Sequence, residues 1–464
     1  MNLVSEERNE LPINWSKIDL ENCVEILDSK RKPINSDERE ERLAKKNVKK
    51  YPYYGATGQV GWIDDFLFDE ELLLLGEDAA PFFEKTKNVA YIITGKTWVN
   101  NHAHVLRAVK DFTSNKYLCH YLNIFDYHNY VTGTTRLKLP QTPLKKIPIK
   151  LPPLSEQHRI VAKLEELFTK LDVSVAELKK AKAQIKRYRQ SVLKHAFEGK
   201  LTEQWRKQTS NVKGETAEDL LAKIKEERKK ALGKKYKELP PVDTTNLPQL
   251  PDGWVWTCLG EIITVSSGNG LTSAHMKSNG IYPVYGGNGV SGYYDKYMFE
   301  ERKLIIGRVG AKCGVVHITE PLSWVTDNAL IVEFNNLDMK FLFYLIHVLN
   351  LNQYSVSTAQ PVISGAKIYP IINSLPPFKE QQQIVSEIER HFSVADETEK
   401  IIDQSLKQAE RLRQSILKDA FSGKLVPQDP SEEHAEKLLE RIRAERTKLT
   451  PAKKNKARYE EEIT

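Results

Sequence analysis

Two short motifs in the sequence contain residues that could bind phosphate or a metal ion. Gly95-Lys96-Thr97 matches the end of a phosphate-binding loop, but Ala90 stands where the leading glycine is required. His102 and His104 lie two residues apart on a predicted strand. A metal site needs a third ligand, and the sequence does not place one beside them. We therefore predict no metal site and no catalytic group here, and interpret both histidines as polar surface or structural residues.

A third motif matches part of a catalytic tetrapeptide but lacks its reactive residue. Pro376-Pro377-Phe378 matches the last three residues of the tetrapeptide that holds the target amino group in adenine methyltransferases. That tetrapeptide begins with Asn or Asp, whereas this position is Leu375, so the required amide or carboxylate is missing. The sequence also contains no glycine-rich nucleotide-binding motif. We therefore predict that the chain by itself is not an enzyme.

A set of polar and basic residues is suited to recognition instead. Base edges are read by Arg, Lys, Asn, Gln, Ser and Thr side chains, and exchanging these residues changes the DNA sequence that is read. In the first half of the chain the candidate DNA-binding residues are Lys30, Arg31, Lys32, Asn100, Asn101, His102, Thr134, Thr135, Arg136 and Lys138. In the second half they are Asn269, Lys277, Arg308, Lys312, Thr326, Asp327, Asn328 and Gln360. For each residue taken singly, a solvated surface role stays open.

A basic stretch without an intervening acid is a second candidate surface. It consists of Lys179, Lys180, Lys182, Lys186, Arg187, Arg189 and Lys194. Such a stretch could face DNA phosphates or an acidic partner. The whole chain has 69 Lys+Arg against 62 Asp+Glu, a net charge of +7, which indicates only a mild preference for polyanions.

These residues lie on a chain that is internally duplicated. The segment LPPLSEQHRIVAKLEELF at 151–168 recurs as LPPFKEQQQIVSEIERHF at 375–392. RYRQSVLKHAFEGKL at 187–201 recurs as RLRQSILKDAFSGKL at 411–425. The chain is therefore two versions of one unit, each a globular segment followed by a long helix, which suggests two similar targets held at a fixed separation.

Each globular segment has the pattern of a small mixed α/β domain. Both contain short β-rich runs, such as 71–76 in the first copy and 303–307 in the second, separated by glycine-containing turns. We predict one short helix in each copy, near 115–126 and near 338–350.

Heptad spacing predicts that the two long helices pack against each other as a coiled coil. In the first helix the seam residues are Leu164, Leu171, Leu178, Ile185 and Val192. In the second they are Ile388, Ala395, Ile402, Ala409 and Ile416. The second seam has fewer large apolar residues, so its packing is less well specified by the sequence. An ordinary amphipathic helix covering a core is the alternative interpretation.

Domain boundaries follow from these patterns. We place globular domains at 1–152 and 251–376 and long helices at 153–200 and 377–424. A charged helix with a Pro-rich linker occupies 201–250, and a charged helix with a tail occupies 425–464. The four cysteines have no metal-ligand spacing, and we interpret them as buried or incidental thiols. The sequence has no apolar signal core and no run long enough to cross a membrane, so we expect a cytoplasmic protein.

The motifs LPPLxEQxxIV and RQSxLKxAFxGKL resemble those of type I restriction–modification specificity subunits, the HsdS family, over essentially the whole length. The resemblance implies that each globular segment is a target recognition domain and that the two helices pack antiparallel as a ruler between them. About 43 helical residues span roughly 60 Å, enough to reach two major-groove segments of a duplex. The two globular segments differ at candidate reading positions, with Asn100 and Asn101 against Thr326 and Asp327, and Arg136 against Gln360. We therefore predict a bipartite, asymmetric DNA target with one half-site for each domain.

The same resemblance implies the partners and cofactors. Two modification subunits would bind S-adenosylmethionine and methylate adenine, motor-nuclease subunits using ATP and Mg²⁺ could join them, and this chain itself would hold no cofactor. Two alternatives stay open at this point: a solitary DNA-recognition module that acts without restriction, and a coiled-coil scaffold that binds proteins only.

Overall fold

The computed structural model describes residues 11–45, 47–84, 86–209, 214–277, 280–310, 312–355, 361–441 and 443–444. The chain forms two compact units, one made of residues 1–178 with 404–464 and the other of residues 179–403. Each unit contains a mixed α/β domain together with one end of each long helix, which confirms the predicted fold class.

The described residues of the first unit form ten short strands. They are β1 (Ser16–Asp19), β2 (Val24–Ile26), β3 (Tyr51–Gly55), β4 (Gly58–Ile63), β5 (Phe68–Asp69), β6 (Leu72–Gly76), β7 (Ala90–Ile93), β8 (Lys96–Val99), β9 (Ala103–Ala108) and β10 (Pro148–Leu151). They form two four-stranded sheets, ordered β2-β9-β6-β7 and β4-β3-β8-β5, and the pair β1-β10. The helices are α1 (Leu20–Cys23), α2 (Ser36–Leu43), α3 (Asn115–Leu122), α4 (Gln141–Lys145) and α5 (Leu154–Phe197).

The central strand β6 shows why this domain needs a continuous apolar run. Successive side chains of a strand point to opposite faces of the sheet. Leu73 and Leu75 therefore enter one apolar cluster, with Trp15 and Tyr117, whereas Leu72 and Leu74 enter another. All four leucines are fully buried, because both faces of this sheet are covered.

The second unit repeats the plan. Its strands are β11 (Val255–Cys258), β12 (Thr264–Ser267), β13 (Tyr282–Gly286), β14 (Gly289–Tyr294), β15 (Leu304–Gly307), β16 (Val316–Ile318), β17 (Trp324–Val325), β18 (Ala329–Glu333) and β19 (Ile372–Leu375). Its helices are α6 (Glu203–Thr209), α7 (Ala217–Leu232), α8 (Leu259–Ile262), α9 (Met339–Leu349), α10 (Gly365–Ile368) and α11 (Phe378–Ala420). The sheets are ordered β12-β18-β15-β16, β14-β13-β17 and β11-β19, so β15 has the place of β6 and β18 that of β9.

Ion pairs within each unit show that α5 and α11 run antiparallel. In the first unit Arg413 pairs with Asp172. In the second unit the Lys182 ammonium lies 2.6 Å from Asp403 and the Arg189 guanidinium 2.7 Å from Asp396. Two members of the basic stretch therefore face acids on α11. The acidic partner of these residues is the second long helix of the same chain.

The burial of the heptad residues confirms the coiled coil, and the seam that the sequence specifies less well is the more completely buried of the two. On α11 every seam residue is buried: Ile388, Ala395, Ile402, Ala409 and Ile416. On α5 only Leu164 and Val192 are buried, whereas Leu171, Leu178 and Ile185 are half-buried.

The segment that follows each long helix packs on a globular domain. α7 buries Leu220 and Ile224 in the core of the second unit, beside Trp254. In the first unit Leu438 and Leu439, from the helical residues 435–441, pack in the core with Trp15. The four cysteines are free thiols and three of them are buried. Within the described ranges, no helix combines the length and the apolar character that crossing a membrane requires.

Candidate nucleic-acid interface

The candidate residues gather where the central strand of each domain ends. After β6 come Glu77 and Asp78, and after β15 come Arg308 and Val309. The backbone contacts are the same in both copies. The Glu77 N–H donates to the His102 carbonyl at 2.8 Å, and the Arg308 N–H donates to the Asn328 carbonyl at 2.9 Å. Glu77 and Arg308 are therefore structurally equivalent.

The next residue pair extends this equivalence. Asp78 forms an isolated antiparallel bridge with Lys138, and Val309 forms one with Val362. The loop before Lys138 carries Thr134, Thr135 and Arg136, and its counterpart includes Gln360, which lies outside the described residues. The charge at this edge is therefore reversed or removed between the two copies, although the backbone is preserved.

In the first domain four candidate residues from three chain segments converge on Glu77 and Asp78. Arg136 donates to both oxygens of Asp78, at 2.6 Å each, and His102 Nδ1 lies 3.4 Å from the same carboxylate. Arg31 donates to Glu77 at 2.6 Å, and Lys138 lies 3.4 Å from it. The two acids were not among the residues selected from the sequence. Their place directly after the apolar run LLLLG is the signal that could have found them.

Behind this surface lies a buried polar cluster around His104, whose side chain is 1% exposed. Its Nδ1 lies 2.7 Å from Asp28 and its Nε2 lies 2.8 Å from the Leu139 carbonyl. Burial opposes ionisation of Asp28, but hydrogen bonds and charge from His104, with further help from Val105 and Arg31, outweigh it, so the pKa of Asp28 is lowered. The cluster therefore supports the strand end from inside.

The described residues contain one group with the side chains of a metal site, made of Asp28, Glu77 and His104. His102 does not join it, because its ring contacts Asp78 instead. The guanidinium of Arg31 lies 2.6 Å from Glu77 and 3.5 Å from Asp28, so both carboxylates already have a cation beside them. This arrangement is a satisfied ion-pair network.

The loop of residues 132–138 is closed by two backbone hydrogen bonds, each 2.8 Å, between Thr132 and Lys138. Gly133 has φ +90°, and a Cβ there would collide with the carbonyl oxygen of Arg136. A glycine is therefore required for this tight loop. Thr134, Thr135 and Arg136 are exposed at its tip.

Of the remaining candidates of the first domain, some are exposed at the surface and one is a buried residue with a structural role. Lys30, Lys32 and Asn101 are exposed, and the Lys32 carbonyl accepts a 2.8 Å hydrogen bond from the Trp98 indole. Asn100 is buried and its Oδ1 accepts from the backbone N–H of His102 at 2.8 Å. Asn100 therefore shapes the turn that carries its exposed neighbours.

In the second domain Arg308 has a different environment. Its Nη1 lies 3.3 Å from the Ser267 hydroxyl and 3.3 Å from the Asp327 carbonyl, both neutral oxygens. The candidates on the surface here are Asn269, Lys277, Lys312, Asp327 and Asn328, of which Lys277 pairs with Asp295. Thr326 is buried, and its hydroxyl has no hydrogen-bond partner among the described residues.

An exposed aromatic residue occupies the same hairpin position in both domains. Trp62 on β4 lies opposite Pro52 and is 48% exposed, and Tyr293 on β14 lies opposite Pro283 and is 46% exposed. Neither was selected from the sequence. Aromatic rings can stack on bases that are not stacked on their neighbours.

Comparison with known proteins identifies the family. The sequence matches the family described as "Type I restriction modification DNA specificity domain" over residues 12–185 and 251–408. The chain belongs to this family. Specificity subunits are the non-catalytic, DNA-recognising components of type I restriction–modification enzymes, which confirms the predictions that this chain is not an enzyme and that it recognises DNA. DNA recognition replaces the protein-only scaffold as an interpretation.

Similar proteins cover nearly the full chain. The EcoDI specificity subunit of Escherichia coli is 25% identical over 462 residues, 94% of this chain and 96% of that protein. The EcoKI specificity subunit of Escherichia coli strain K12 is 28% identical over 372 residues, 74% of each chain. The HsdS subunit from Thermoanaerobacter tengcongensis has the same fold, with a TM-score of 0.52, 17% identity, and coverage of 90% of this chain and 98% of that one.

The repeated motif of this specificity subunit fastens each domain to its long helix. In the first copy Gln157 accepts from the Ser114 N–H at 3.0 Å and donates to the Phe112 carbonyl at 3.0 Å. In the second copy Gln381 accepts from the Asp338 N–H at 3.1 Å and donates to the Pro376 carbonyl at 3.0 Å. The two motif glutamines therefore have a structural role, since they join the start of each long helix to its domain.

Proposed function

We propose that this specificity subunit recognises a bipartite, asymmetric DNA target, with one half-site for each domain. The observation that carries the proposal is the pair of equivalent strand ends with different chemistry, Glu77-Asp78 in one domain and Arg308-Val309 in the other. Two domains of one scaffold that differ at such an edge are suited to two different short sequences.

The chemistry of each edge suggests what it reads. Arginine donates to O6 and N7 of guanine, whereas carboxylates accept from the amino group of cytosine. Arg308 is not neutralised by a neighbouring carboxylate among the described residues. In the first domain Arg136 and Lys138 remain at the surface although each contacts an acid. We therefore assign Arg308 to a guanine of the second half-site, and the remaining exposed candidates to nearby bases and phosphates.

We further propose that the subunit positions two modification subunits for adenine methylation and also accepts motor-nuclease subunits. Leu375 replaces the catalytic residue of the methyltransferase tetrapeptide, and its side chain is fully buried. The methyl donor and ATP with Mg²⁺ would be bound by those partners. The antiparallel helix pair supplies an elongated surface within each unit for such contacts.

The test is to express the chain with its modification subunit and map methylated adenines by long-read sequencing. We expect two specified blocks around an unspecified spacer. The Arg308→Ala variant should relax one base pair of one block and leave the other block unchanged. Arg302→Ala, which removes an exposed arginine paired with Glu320 in the same domain, is the matched control. A continuous or palindromic motif, or relaxation of both blocks, would contradict the proposal.

A further inference from the structure

The contact between Arg136 and Asp78 fixes the plane of a guanidinium at the surface. Arg136 Nε donates to Asp78 Oδ1 and Nη2 donates to Oδ2, both at 2.6 Å. Two parallel bonds of this kind define the orientation of the group as well as its position. The Asp78 side chain is 19% exposed and that of Arg136 is 62% exposed, so the acid lies inside and the guanidinium outside.

Asp78 is itself held firmly. Its N–H lies 3.3 Å from the His102 carbonyl, and its backbone pairs with Lys138. Burial opposes its ionisation, but the hydrogen bonds and charges of Arg136 and His102 outweigh that effect, so the pKa of Asp78 is lowered and the carboxylate stays charged at neutral pH. A fixed, charged acid at a strand end is a rigid support for the exposed loop.

The N–H donors on the other edge of the Arg136 guanidinium remain available to a ligand. A guanidinium has five N–H donors, of which Asp78 takes two. The described residues offer Nη1 of Arg136 no acceptor within hydrogen-bond distance, and this edge lies at the tip of the 132–138 loop with Thr134 and Thr135. The free edge has the donors that O6 and N7 of a guanine accept.

The second copy has neither the acid nor the arginine of this pair. Val309 occupies the position of Asp78, and Gln360 corresponds in the sequence to Arg136. A residue needed only for the shared fold would be expected in both copies. The joint exchange of acid and base indicates that the pair serves what is particular to the first domain.

We propose that Asp78 is a positioning residue that holds Arg136 for reading a guanine in the half-site of the first domain. This inference rests on the proposed function, because it requires that domain to read bases. The carboxylate restricts the rotamers of a long side chain before DNA binds, so less conformational entropy is lost on recognition. Without the acid, Arg136 would still reach the groove but in many orientations.

The experiment compares Arg136→Ala, Asp78→Asn and the double variant in the complex with modification subunits, using methylation mapping and competition binding. We expect Arg136→Ala to lower the preference for guanine at one base pair of the first block by about tenfold or more. Asp78→Asn should lower the preference at the same base pair by a smaller factor, and the double variant should match Arg136→Ala. Glu70→Gln, which breaks a two-bond pair with Arg107 in the same domain, is the control and should change nothing.

Recognition of the second block provides the check that each variant is folded. Loss of affinity for all sequences alike, with a shallower salt dependence, would make Arg136 a phosphate contact and overturn the inference. An Asp78→Asn effect at another base pair would overturn it as well. If the unaltered complex reads no bipartite site, the proposed function itself fails, so the two failures are distinguishable.

Discussion

At the end of its central strand the first domain has two acids, Glu77 and Asp78, whereas the second has Arg308 and Val309. In the first domain cationic residues from distant segments, including Arg31 and Arg136, contact these acids. In the second domain Arg308 contacts only neutral oxygens among the described residues. One backbone can therefore carry opposite charges at a strand end, because the edge is open and the residues around it can differ as well.

A second comparison concerns the glutamate of the repeated helix motif. Glu156 accepts from the Trp15 indole at 3.1 Å, and its other oxygen is buried without a partner among the described residues. Glu380 accepts from the Trp254 indole at 2.9 Å, from the Thr202 hydroxyl at 2.6 Å and from Arg206. The same residue in the same motif therefore has a complete set of partners in only one copy.

The largest effect is expected from exchanging the charges at the strand ends. Glu77→Arg would place a guanidinium beside Arg31 and remove the nearer of the two carboxylates that Arg31 contacts, which should cost about 3–5 kcal/mol of local stability. Arg308→Glu should cost about 1 kcal/mol or less, because no opposite charge is left unpaired. Hydrogen exchange of β6 and β15 in the full chain measures both. Equal costs would show that the two edges are energetically alike.

The next effect separates the two motif glutamates. Glu380→Gln leaves Arg206, which is largely buried, without its carboxylate and should cost about 2 kcal/mol. Glu156→Gln should change stability little, or increase it at neutral pH, because burial raises the pKa of Glu156 and its charge is therefore unfavourable in the folded state. Exchange protection at the starts of α5 and α11 reports each change.

The Glu156 effect has a defined pH dependence. A carboxyl whose pKa is raised on folding opposes folding when it is ionised and ceases to do so as the pH falls through the raised value. The difference between Glu156→Gln and the unaltered chain should therefore shrink with acidification. A difference that grows at low pH would contradict this assignment of the charge.

Acid should open the first domain before the second. The pKa values of Asp28 and Asp78 are lowered by their cationic partners despite partial burial, so their stabilisation is complete above the unfolded value of about 3.9 and is lost as the pH falls through the lower folded values. In the second domain the strand registers place Ser267 at the position of Asp28, and Val309 occupies that of Asp78. Neither side chain titrates. Exchange rates of β9 and β18 should diverge as the pH falls below the unfolded value of about 3.9, and Asp28→Asn should reduce that divergence.

The smallest effect is expected from the exposed aromatic residues, which occupy the same hairpin position in both domains. Trp62→Ala and Tyr293→Ala remove half-exposed rings from equivalent hairpins, and each should change the free energy of unfolding by about 0.5 kcal/mol or less. Thermal unfolding of the full chain measures this. A large cost at one position alone would show that the two hairpins are packed differently.

Much of the architecture could be predicted because it is written in local patterns. Heptad spacing predicted both long helices, and short apolar runs bounded by glycine predicted strands such as β6 and β15. The sequence specified the packing of the α11 seam less well, whereas in the structure even Ala395 and Ala409 on that helix are buried. Residue size along one helix does not reveal how closely the facing helix approaches.

The candidate surface was only partly accessible from the sequence. A search for donors selected Arg31, His102 and Arg136, and it omitted the acids Glu77 and Asp78 that bring them together. The contribution of those acids depends on neighbours that are distant along the chain. The role of the candidate surface residues in reading DNA stays a prediction, which the variants above test.

The duplication can be read from the repeated residues of the sequence. The element types and the motif at each helix start follow from local patterns, because periodicity and capping act between residues a few positions apart. Only the tertiary structure decided that Lys182 and Arg189 face acids of α11, that Glu156 lacks the partners of Glu380, and that His104 joins Asp28. Charges interact strongly only at a few ångströms and in a shielded environment. Such environments are created when distant segments meet, so folding assigns these side chains their partners.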